Sequence, residues 1–339
     1  MSVNSTDSFR PAWWIPGAHL QTLWGRLLRT PVKARLRTER WRTPDSDFVD
    51  VVRLDAPAPS APRVVLFHGL EGTIRSHYVA RLVAELERRG WGMDLLLFRS
   101  CSGTPNETRR FYHSGDTADA MLVLERVVAE HPDAPLGLAG VSLGGNVLLK
   151  LLGERGPDMP SSVIGAATVS VPYDLALSCR RIERGFSRVY QEFFLRSLKR
   201  KAREKLARFP DLVEPARLER ARTLWDFDDA ITAPLHGFQD AADYYERSSS
   251  LGFLSAIRLP TLLLSARDDP FLPVHVLDDV TRIAASNPAL HLEIAERGGH
   301  VGFVSGTVPW RPRYYAEWRI AEWFASLLPG VTRSPAAVP

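Results

Sequence analysis

The stretch LGLAGVSLGGNVLLKLLGE, residues 136–154, decides the fold of this 339-residue chain. It places one serine, Ser142, between an apolar run that ends at Val141 and a second run that begins at Leu143 and carries leucines at helical spacing. The first run predicts a buried strand and the second a helix. Ser142 therefore lies on a sharp strand-to-helix turn, where the flanking glycines remove Cβ atoms that would collide. Such a turn exposes a nucleophilic hydroxyl.

The segments around this turn repeat the alternation of strand and helix. Continuous apolar runs separated by amphipathic helices favour a mostly parallel sheet covered on both faces, which is an α/β fold. The predicted strands are 64–67, 92–98, 135–141, 162–171, 261–266 and 291–296, and the predicted helices are 78–89, 117–130, 274–285 and 314–328.

Two regions interrupt the alternation. The N-terminal stretch is rich in tryptophan and predicts an arm packed over the core, an interpretation favoured over a membrane anchor. A second region, with Arg, Phe, Leu and Tyr at helical spacing, predicts a helical insertion that forms a lid over the carboxyl ends of the strands. The predicted division is an arm at 1–33, a core at 34–174 and 256–330, a lid at 175–255 and a tail at 331–339, with an antiparallel pair at 33–41 and 48–54.

The composition is that of a globular protein, with 45% hydrophobic and 24% charged residues and a net charge of +4. No apolar run approaches the roughly 18 to 20 residues that span a bilayer, and the N-terminus lacks the pattern of a signal peptide. A cytoplasmic location is therefore expected. The two cysteines, Cys101 and Cys179, lie far apart and predict free thiols rather than a disulfide or a metal site.

The positive charge is concentrated between Arg180 and Arg222, where 14 Lys and Arg face 6 Asp and Glu. Such a segment could contact anionic lipid, an acidic substrate or nucleic acid. A solvated helical face is the favoured interpretation.

A serine hydroxyl is a weak nucleophile unless a histidine takes its proton and a carboxylate orients that histidine. In a fold with a serine on such a turn, the acid follows a late strand and the histidine follows the last one. The strand 261–266 runs into Arg-Asp-Asp-Pro, and the strand 291–296 runs into Arg-Gly-Gly-His-Val-Gly-Phe, which supplies His300. Asp269 is the predicted acid, with Asp268 as the alternative and the unchosen one as a loop-capping carboxylate.

The oxyanion formed during attack on a carbonyl needs two aimed N–H donors. The backbone N–H of Leu143 is one candidate, and the loop after the strand 64–67 supplies the other, Leu70. His68 in that loop is predicted to be a buried, hydrogen-bonded histidine. Cys101 is predicted to be a packed thiol rather than a nucleophile.

A polar loop follows the strand 92–98. Its members Asn106, Arg109, His113 and Asp116 could line the site or hold the loop together, and the structural role is favoured. Whether Arg99 pairs with Asp119 is left open by the sequence.

Seven ordered blocks between about residues 10 and 305 resemble the α/β-hydrolase fold enzymes related to the bacterial YheT-like hydrolases and the eukaryotic ABHD1 and ABHD3 type proteins. The resemblance implies a serine hydrolase of carboxylic esters, with acyl or lipid substrates known among relatives and Ser142, Asp269 and His300 as the triad. One departure is Ser100, where the family often has glycine. The blocks are HLQTLWGRLLR, FHGLEGTIRSHYVARL, FRSCSGTPNETRRFYHSGDTAD, GVSLGGNVLLKLLGE, HGFQDAADYYERSS, ARDDPF and GGHVGF.

The leading hypothesis is an ester hydrolase acting through an acyl-enzyme on a small-molecule ester. Acyl transfer by the same triad, and a non-catalytic adapter that binds an anionic membrane or nucleic acid, remain alternatives. No phosphate loop, dinucleotide fingerprint or metal motif occurs, so no cofactor and no metal are implied. No nucleic acid partner is expected, peripheral membrane contact is possible, and the oligomeric state is open. The aromatic residues of the lid, Phe186, Tyr190, Phe193 and Phe194, suit either an acyl chain or a packed core.

Overall fold

A computed structural model describes residues 9–28 and 33–328, and this part of the chain contains an eight-stranded sheet and a two-stranded ribbon. The order of the strands across the sheet is β1-β2-β4-β3-β5-β6-β7-β8. The strands are β1 (Leu36–Arg42), β2 (Phe48–Leu54), β3 (Arg63–Phe67), β4 (Gly92–Leu97), β5 (Leu136–Val141), β6 (Val163–Val169), β7 (Thr261–Ala266) and β8 (Leu290–Ala295), with β9 (Val304–Ser305) and β10 (Arg313–Tyr314) in the ribbon. β1 and β2 run antiparallel to their neighbours, and the remaining pairs of the sheet are parallel.

Helices cover both faces of the sheet. They are α1 (Ala18–Leu27), α2 (His77–Arg88), α3 (Ala118–Glu130), α4 (Leu143–Arg155), α5 (Leu175–Ile182), α6 (Ser187–Arg208), α7 (Pro215–Arg220), α8 (Leu224–Phe227), α9 (Ala233–His236), α10 (Ala241–Ser248), α11 (Val274–Ser286) and α12 (Tyr315–Leu327). A π-helical turn, Asp228–Thr232, separates α8 from α9, and a 3₁₀ helix, Ser250–Ala256, follows α10.

The central strands are apolar throughout because both of their faces are buried. In β3, Val65 and Phe67 pack with α3, α4 and α11, while Val64 and Leu66 pack with α2 and α12 on the opposite face. This division follows from the two-residue period of a strand. β1 and β8 form the edges and are only partly buried. The α/β class predicted from the sequence is confirmed.

Helices α5 to α10, which we name the cap helices, lie between β6 and β7 in the chain. They have apolar clusters of their own, one around Leu195, Phe227 and Ile231 and one around Tyr244 and Tyr245. The cap helices fall inside the predicted lid at 175–255. The division of the chain into arm, core and lid remains our proposal.

The described part of the N-terminal stretch lies against the ribbon and the loop before it. The amide of Gln21 in α1 pairs in both directions with the backbone of Val304, at 2.8 and 3.1 Å. Ala12 and Ile15 bury their side chains against the same residue. Within residues 9–28 and 33–328, no helix combines the length and apolar character needed to cross a membrane. The predicted tail at 331–339 lies outside the described residues.

Several side chains of the basic segment make internal contacts. The Lys205 amine is buried and donates to Asn106 Oδ1 and to the Thr108 carbonyl oxygen, each at 2.6 Å. Arg203 pairs with Glu219 at 2.6 Å on the surface. Part of the charge excess therefore holds α6 to neighbouring segments.

Candidate active site

Ser142 lies between β5 and α4 with its backbone at φ 53° and ψ −121°, a conformation that few non-glycine residues adopt. The backbone is packed too closely for a Cβ atom two residues before or two residues after Ser142. A Cβ on Gly144 would lie 2.2 Å from the carbonyl oxygen of Phe67, and a Cβ on Gly140 would lie 2.6 Å from Cα of Gly145. The glycines thus let α4 start directly against β3 and β5 and turn the hydroxyl outward.

His300 reaches Ser142 from the loop after β8. Its Nε2 lies 2.9 Å from Ser142 Oγ. The loop is fixed by a hydrogen bond from the His300 N–H to Thr22 Oγ1 of α1 at 2.9 Å, and the ring of Phe271 lies 4.1 Å from the imidazole between centroids. Gly299, at φ +60°, lies against the Ala18 carbonyl oxygen, which a Cβ would approach to 2.4 Å.

The two candidate acids have different surroundings. Asp269 is 3% exposed and its carboxylate lies 2.9 and 3.2 Å from His300 Nδ1. Asp268 instead accepts hydrogen bonds from the backbone N–H groups of Gly298 and Gly299, at 2.8 and 2.9 Å. The structure thus places Asp269 in line with His300 and Ser142, and it places Asp268 as a cap on the histidine loop.

The loop after β3 brings one unpaired N–H group next to the serine. The N–H groups of Gly69 and Glu71 donate to the hydroxyls of two tyrosines, at 2.9 and 3.0 Å. Among the described residues, no acceptor faces the N–H of Leu70 between them or the N–H of Leu143 at the start of α4. Leu70 and Leu143 both line a cavity that Ser142 also lines, so two residues with free N–H groups border the same cavity as the serine.

His68 fixes this loop as a neutral group. Its Nε2 accepts from the N–H of Phe98 at 3.1 Å, so its Nδ1 carries the proton and donates to the Gly69 carbonyl oxygen at 2.7 Å. Complete burial lowers the pKa of His68 to about 4. Burial also raises the pKa of Tyr78, whose hydroxyl accepts from Gly69, to about 12. The start of the loop, at His68 and Gly69, is thus held by uncharged hydrogen bonds, as the prediction of a buried His68 requires.

A cap helix contacts the same loop through Glu71. The carboxylate accepts from Tyr112 Oη at 2.8 Å and pairs with Lys201 Nζ of α6 at 2.7 Å. Ser197, one turn earlier in α6, also donates to Glu71. The position of the Leu70 N–H therefore depends on the cap as well as on the core.

Two cavities meet at Ser142 and His300. The cap-side cavity, lined mainly by apolar residues of the cap helices, such as Leu175, Phe194 and Leu198, has a volume of about 140 Å³. The arm-side cavity has a volume of about 310 Å³, is lined by the loop after β3 and by α1, and includes Arg26.

The cap aromatics are divided between these cavities and the surface. Phe194 lines both cavities and Tyr190 lines the arm-side cavity, whereas Phe186 is 50% exposed.

The polar loop after β4 is largely a structural network. Arg99 pairs with Asp119 at 2.7 Å and with Asp47 at 3.0 Å, all three being buried. Asn106 Nδ2 donates to Asp47 at 2.6 Å. Ser100 stands at φ 63°, the backbone conformation that favours glycine, and its hydroxyl bonds to Asn106 at 2.7 Å.

The remaining polar residues of that loop lie in different surroundings. Asp116 pairs with Arg110 at 2.8 Å, and Arg109 pairs with Asp211 on the surface. His113 lines the cap-side cavity. Its placement there differs from the purely structural role that the sequence favoured for the loop.

Both cysteines are free and buried. Burial raises the pKa of Cys101 to about 11 and that of Cys179 to about 12, so neither is a thiolate at neutral pH. Among residues 9–28 and 33–328, no cluster of His, Cys, Asp and Glu is arranged to hold a metal ion.

Sequence reasoning missed three residues of the site: Thr22, which bonds to the backbone of His300, Lys201, which pairs with Glu71 in the loop after β3, and Asp228 in the wall of the cap-side cavity. The first two had no local signal because their partners lie 278 and 130 residues away. The third belongs to the aspartate cluster WDFDDA, which was visible only as an interruption of the helical pattern.

A serine on a strand-to-helix turn, at the edge of a mostly parallel sheet, with a histidine from the loop after the last strand of that sheet, defines the class of α/β-hydrolases. Residues 62–307 match the family model described as the α/β hydrolase fold, and the chain belongs to this family. It is a hydrolase of that class, and the predictions of the family and of an enzyme are confirmed.

Individual proteins of known sequence or structure are similar to this chain. It is 41% identical to "Putative esterase YheT" of Escherichia coli (strain K12) over 96% of this chain and 95% of that protein. It is 28% identical to mouse "Phospholipase ABHD3" over 90% of this chain and 75% of that protein. The solved structure of the Pyrococcus furiosus esterase Pf2001 matches with a TM-score of 0.53 and 15% identity, over 88% of this chain and 94% of that one, and it shares the fold.

Proposed function

We propose that the protein is a serine hydrolase that cleaves carboxylic esters through an acyl-enzyme formed on Ser142. The observation that carries the proposal is the continuous hydrogen-bonded chain from Ser142 Oγ through the His300 ring to Asp269, with contacts of 2.9 Å at each end of the imidazole. This arrangement makes a serine hydroxyl nucleophilic, because the imidazole takes its proton and the carboxylate stabilises the imidazolium. The names of two relatives, an esterase and a phospholipase, support an ester as substrate.

In the proposed reaction, Ser142 Oγ attacks the ester carbonyl while His300 Nε2 accepts the hydroxyl proton. The N–H groups of Leu70 and Leu143 then bind the oxyanion, and each such donor contributes about 10²- to 10³-fold in kcat. The proton passes from His300 to the departing alcohol, which leaves the acyl group on Ser142. A water molecule then attacks this acyl-enzyme while His300 takes its proton, and the carboxylic acid leaves as His300 returns that proton to Ser142 Oγ.

The two cavities suggest how the substrate binds. We assign the acyl chain to the cap-side cavity because its walls are mainly apolar, and each buried methylene contributes about 0.8 kcal/mol. A cavity of roughly 150 Å³ holds one benzene molecule. The cap-side cavity, at about 140 Å³, therefore suits a short acyl chain of about six carbons. The alcohol then occupies the arm-side cavity.

Steady-state hydrolysis of p-nitrophenyl esters from acetate to dodecanoate tests this function. Wild type should show the highest kcat/KM near butyrate and hexanoate, and Ser142→Ala should lose at least about 10³-fold. Ser286→Ala, which removes a serine at the exposed end of α11, should match wild type. Retention of wild-type turnover by Ser142→Ala would exclude Ser142 as the nucleophile.

Acyl transfer by the same acyl-enzyme is measured in that assay by adding ethanol. Ethyl ester forming faster than free acid would assign a transferase instead of a hydrolase. A folded wild type that hydrolyses none of the esters, yet binds anionic vesicles or DNA with a steep salt dependence, would favour the adapter hypothesis.

A further inference from the structure

A carboxyl group without a cationic partner lies in the wall of the cap-side cavity. Asp228 begins the π-helical turn, and its carboxylate accepts hydrogen bonds from Tyr245 Oη at 2.6 Å and Thr232 Oγ1 at 2.5 Å. It forms no ion pair within the described part of the chain. Burial raises the pKa of Asp228 to about 6. Each carboxylate oxygen keeps a further lone pair that can accept from a ligand.

A serine with an unsatisfied, buried hydroxyl lines the same cavity. Ser178 in α5 is 8% exposed, and its Oγ has no hydrogen-bond partner among the described residues. A buried hydroxyl without a partner is disfavoured unless a ligand or water supplies one. The next residue, Cys179, contacts the hydroxyl of Tyr245 at 3.3 Å, so α5 lies beside the group that binds Asp228. Ser178 and Asp228 are thus two polar groups of one cavity wall.

The backbone at Asp228 is also unusual. The N–H of Ala233 bonds to the carbonyl oxygen of Asp228, five residues earlier, which makes this turn a π-helix. Such turns are rare and occur frequently at functional sites. Here the turn carries both Asp228 and Thr232 to the cavity wall.

A purely structural role explains only part of this arrangement. The bonds from Tyr245 and Thr232 would anchor the turn in the cap. That role gives no reason for a carboxyl without a positive partner in a mainly apolar cavity wall, where such a charge is costly. It also leaves the Ser178 hydroxyl unexplained.

We propose that Asp228 and Ser178 bind a hydroxyl or ammonium group on the acyl chain of the substrate, which extends the proposed function by naming a substrate class. A hydroxyl donates to the Asp228 carboxylate and accepts from Ser178 Oγ. An ammonium group donates to both and supplies the missing positive charge. A plain alkyl chain makes neither bond, and a chain that ends in a carboxylate meets repulsion.

Three matched esters test the proposal: p-nitrophenyl hexanoate, 6-hydroxyhexanoate and 6-aminohexanoate. Wild type should favour at least one substituted ester over hexanoate by about tenfold or more in kcat/KM, and the preferred one identifies the group. Asp228→Asn, which keeps the shape of the side chain, should lose most of the preference for the amino ester, measured within the variant as the ratio of kcat/KM for 6-aminohexanoate to kcat/KM for hexanoate. Asp211→Asn, an exposed acid on the surface, should keep the wild-type preference.

Ser178→Ala tests the proposal independently if Asp228→Asn does not fold. It removes an oxygen that has no partner, so it should fold normally and lose about threefold or more of the preference for the hydroxy ester. Calorimetric binding of 6-hydroxyhexanamide, 6-aminohexanamide and hexanamide gives the same comparison without turnover. Equal kcat/KM for the three esters in an active wild type would overturn this inference and leave the proposed function intact. Failure to hydrolyse any ester, with normal discrimination among the amides, would instead overturn the proposed function.

Discussion

The loops at the carboxyl edge of the sheet and the cap helices make up one site by different means. In the loops, backbone conformation places the reacting atoms: Ser142 stands at positive φ, and Gly140 and Gly144 lie against backbone atoms that leave no room for a Cβ. In the cap, side chains such as Phe194 and Asp228 form the walls of a cavity. Under the proposed function, the core therefore determines the reaction and the cap selects the acyl chain that reaches Ser142.

The largest effects on kcat should come from substitutions in the loops at the carboxyl edge of the sheet. Substitution of the two adjacent aspartates, Asp268 and Asp269, tests this expectation. Asp269→Asn should lower kcat by about 10²- to 10⁴-fold, because the amide no longer stabilises the imidazolium. Asp268→Asn should lower kcat by about tenfold or less, since it weakens only the bonds to two backbone N–H groups. Steady-state kinetics on p-nitrophenyl butyrate measure both. A larger loss for Asp268→Asn would reverse the assignment.

An intermediate effect should come from the contact that joins the two regions. Lys201→Met removes the ion pair with Glu71 and loosens the loop that carries the Leu70 N–H. We expect kcat to fall by about tenfold with little change in KM, because the oxyanion is bound in the transition state and not in the ground state.

Arg203→Met, which breaks an exposed pair in the same helix, is the matched control and should stay within about twofold of wild type. If Lys201→Met changes only KM and leaves kcat at the wild-type value, the contact between the cap and the loop after β3 has no part in the chemical step.

Much of the core could be predicted from the sequence because its signals are local. β7 has the predicted bounds, 261–266, and the serine turn carries its own glycines. The histidine and acid loops follow strands that periodicity identifies. The structure brings Ser142, His300 and Asp269 together, whereas the catalytic roles of these residues stay a prediction.

The contacts of the cap helices could not be predicted, because helical spacing identifies an apolar face but not the surface that this face packs against. Phe194 lines both cavities, whereas Phe193, one residue earlier, lines only the arm-side cavity and is 46% exposed. The pairing of Lys201 with Glu71 joins segments 130 residues apart, and nothing local to either residue indicates it. The cytoplasmic location also stays a prediction.

A more selective effect, confined to particular substrates, should follow from filling either cavity. Leu198→Trp narrows the cap-side cavity and should lower kcat/KM for hexanoate by about tenfold while leaving acetate within about threefold. Leu23→Trp narrows the arm-side cavity and should instead change the ratio of kcat/KM between the p-nitrophenyl ester and the methyl ester of one acid. Equal effects of Leu198→Trp on all acyl chains would remove the cap-side cavity as the acyl site.

The smallest effect concerns stability and pH. Burial lowers the pKa of His68 and His77 to about 4 and that of His113 and His236 to about 3, from an ordinary value of 6.5. Between pH 6.5 and 4 the unfolded chain therefore binds more protons at these histidines, and the free energy of unfolding should fall as the pH is lowered.

Two buried acids oppose this trend. Burial raises the pKa of Asp228 to about 6 and that of Glu317 to about 7, so the folded chain binds their protons first and gains stability on acidification. The four histidines outnumber these two acids, so the net effect of lowering the pH should still be a fall in the free energy of unfolding. Urea unfolding at pH 7.5, 6.5 and 5.5 measures it, and His236→Asn should reduce the slope. A free energy of unfolding that rises between pH 6.5 and 5.5 would contradict the neutral state of these histidines.

The central claim is that the hydroxyl of residue 142 is the nucleophile of the site. Its most direct test is the mass of the intact protein after treatment with a fluorophosphonate, followed by mapping of the modified peptide. One adduct per chain on the peptide that contains Ser142, and none in a folded Ser142→Ala variant, is the predicted result. An adduct on another residue, an adduct that persists in the variant, or no adduct on a wild type that hydrolyses esters would contradict the claim.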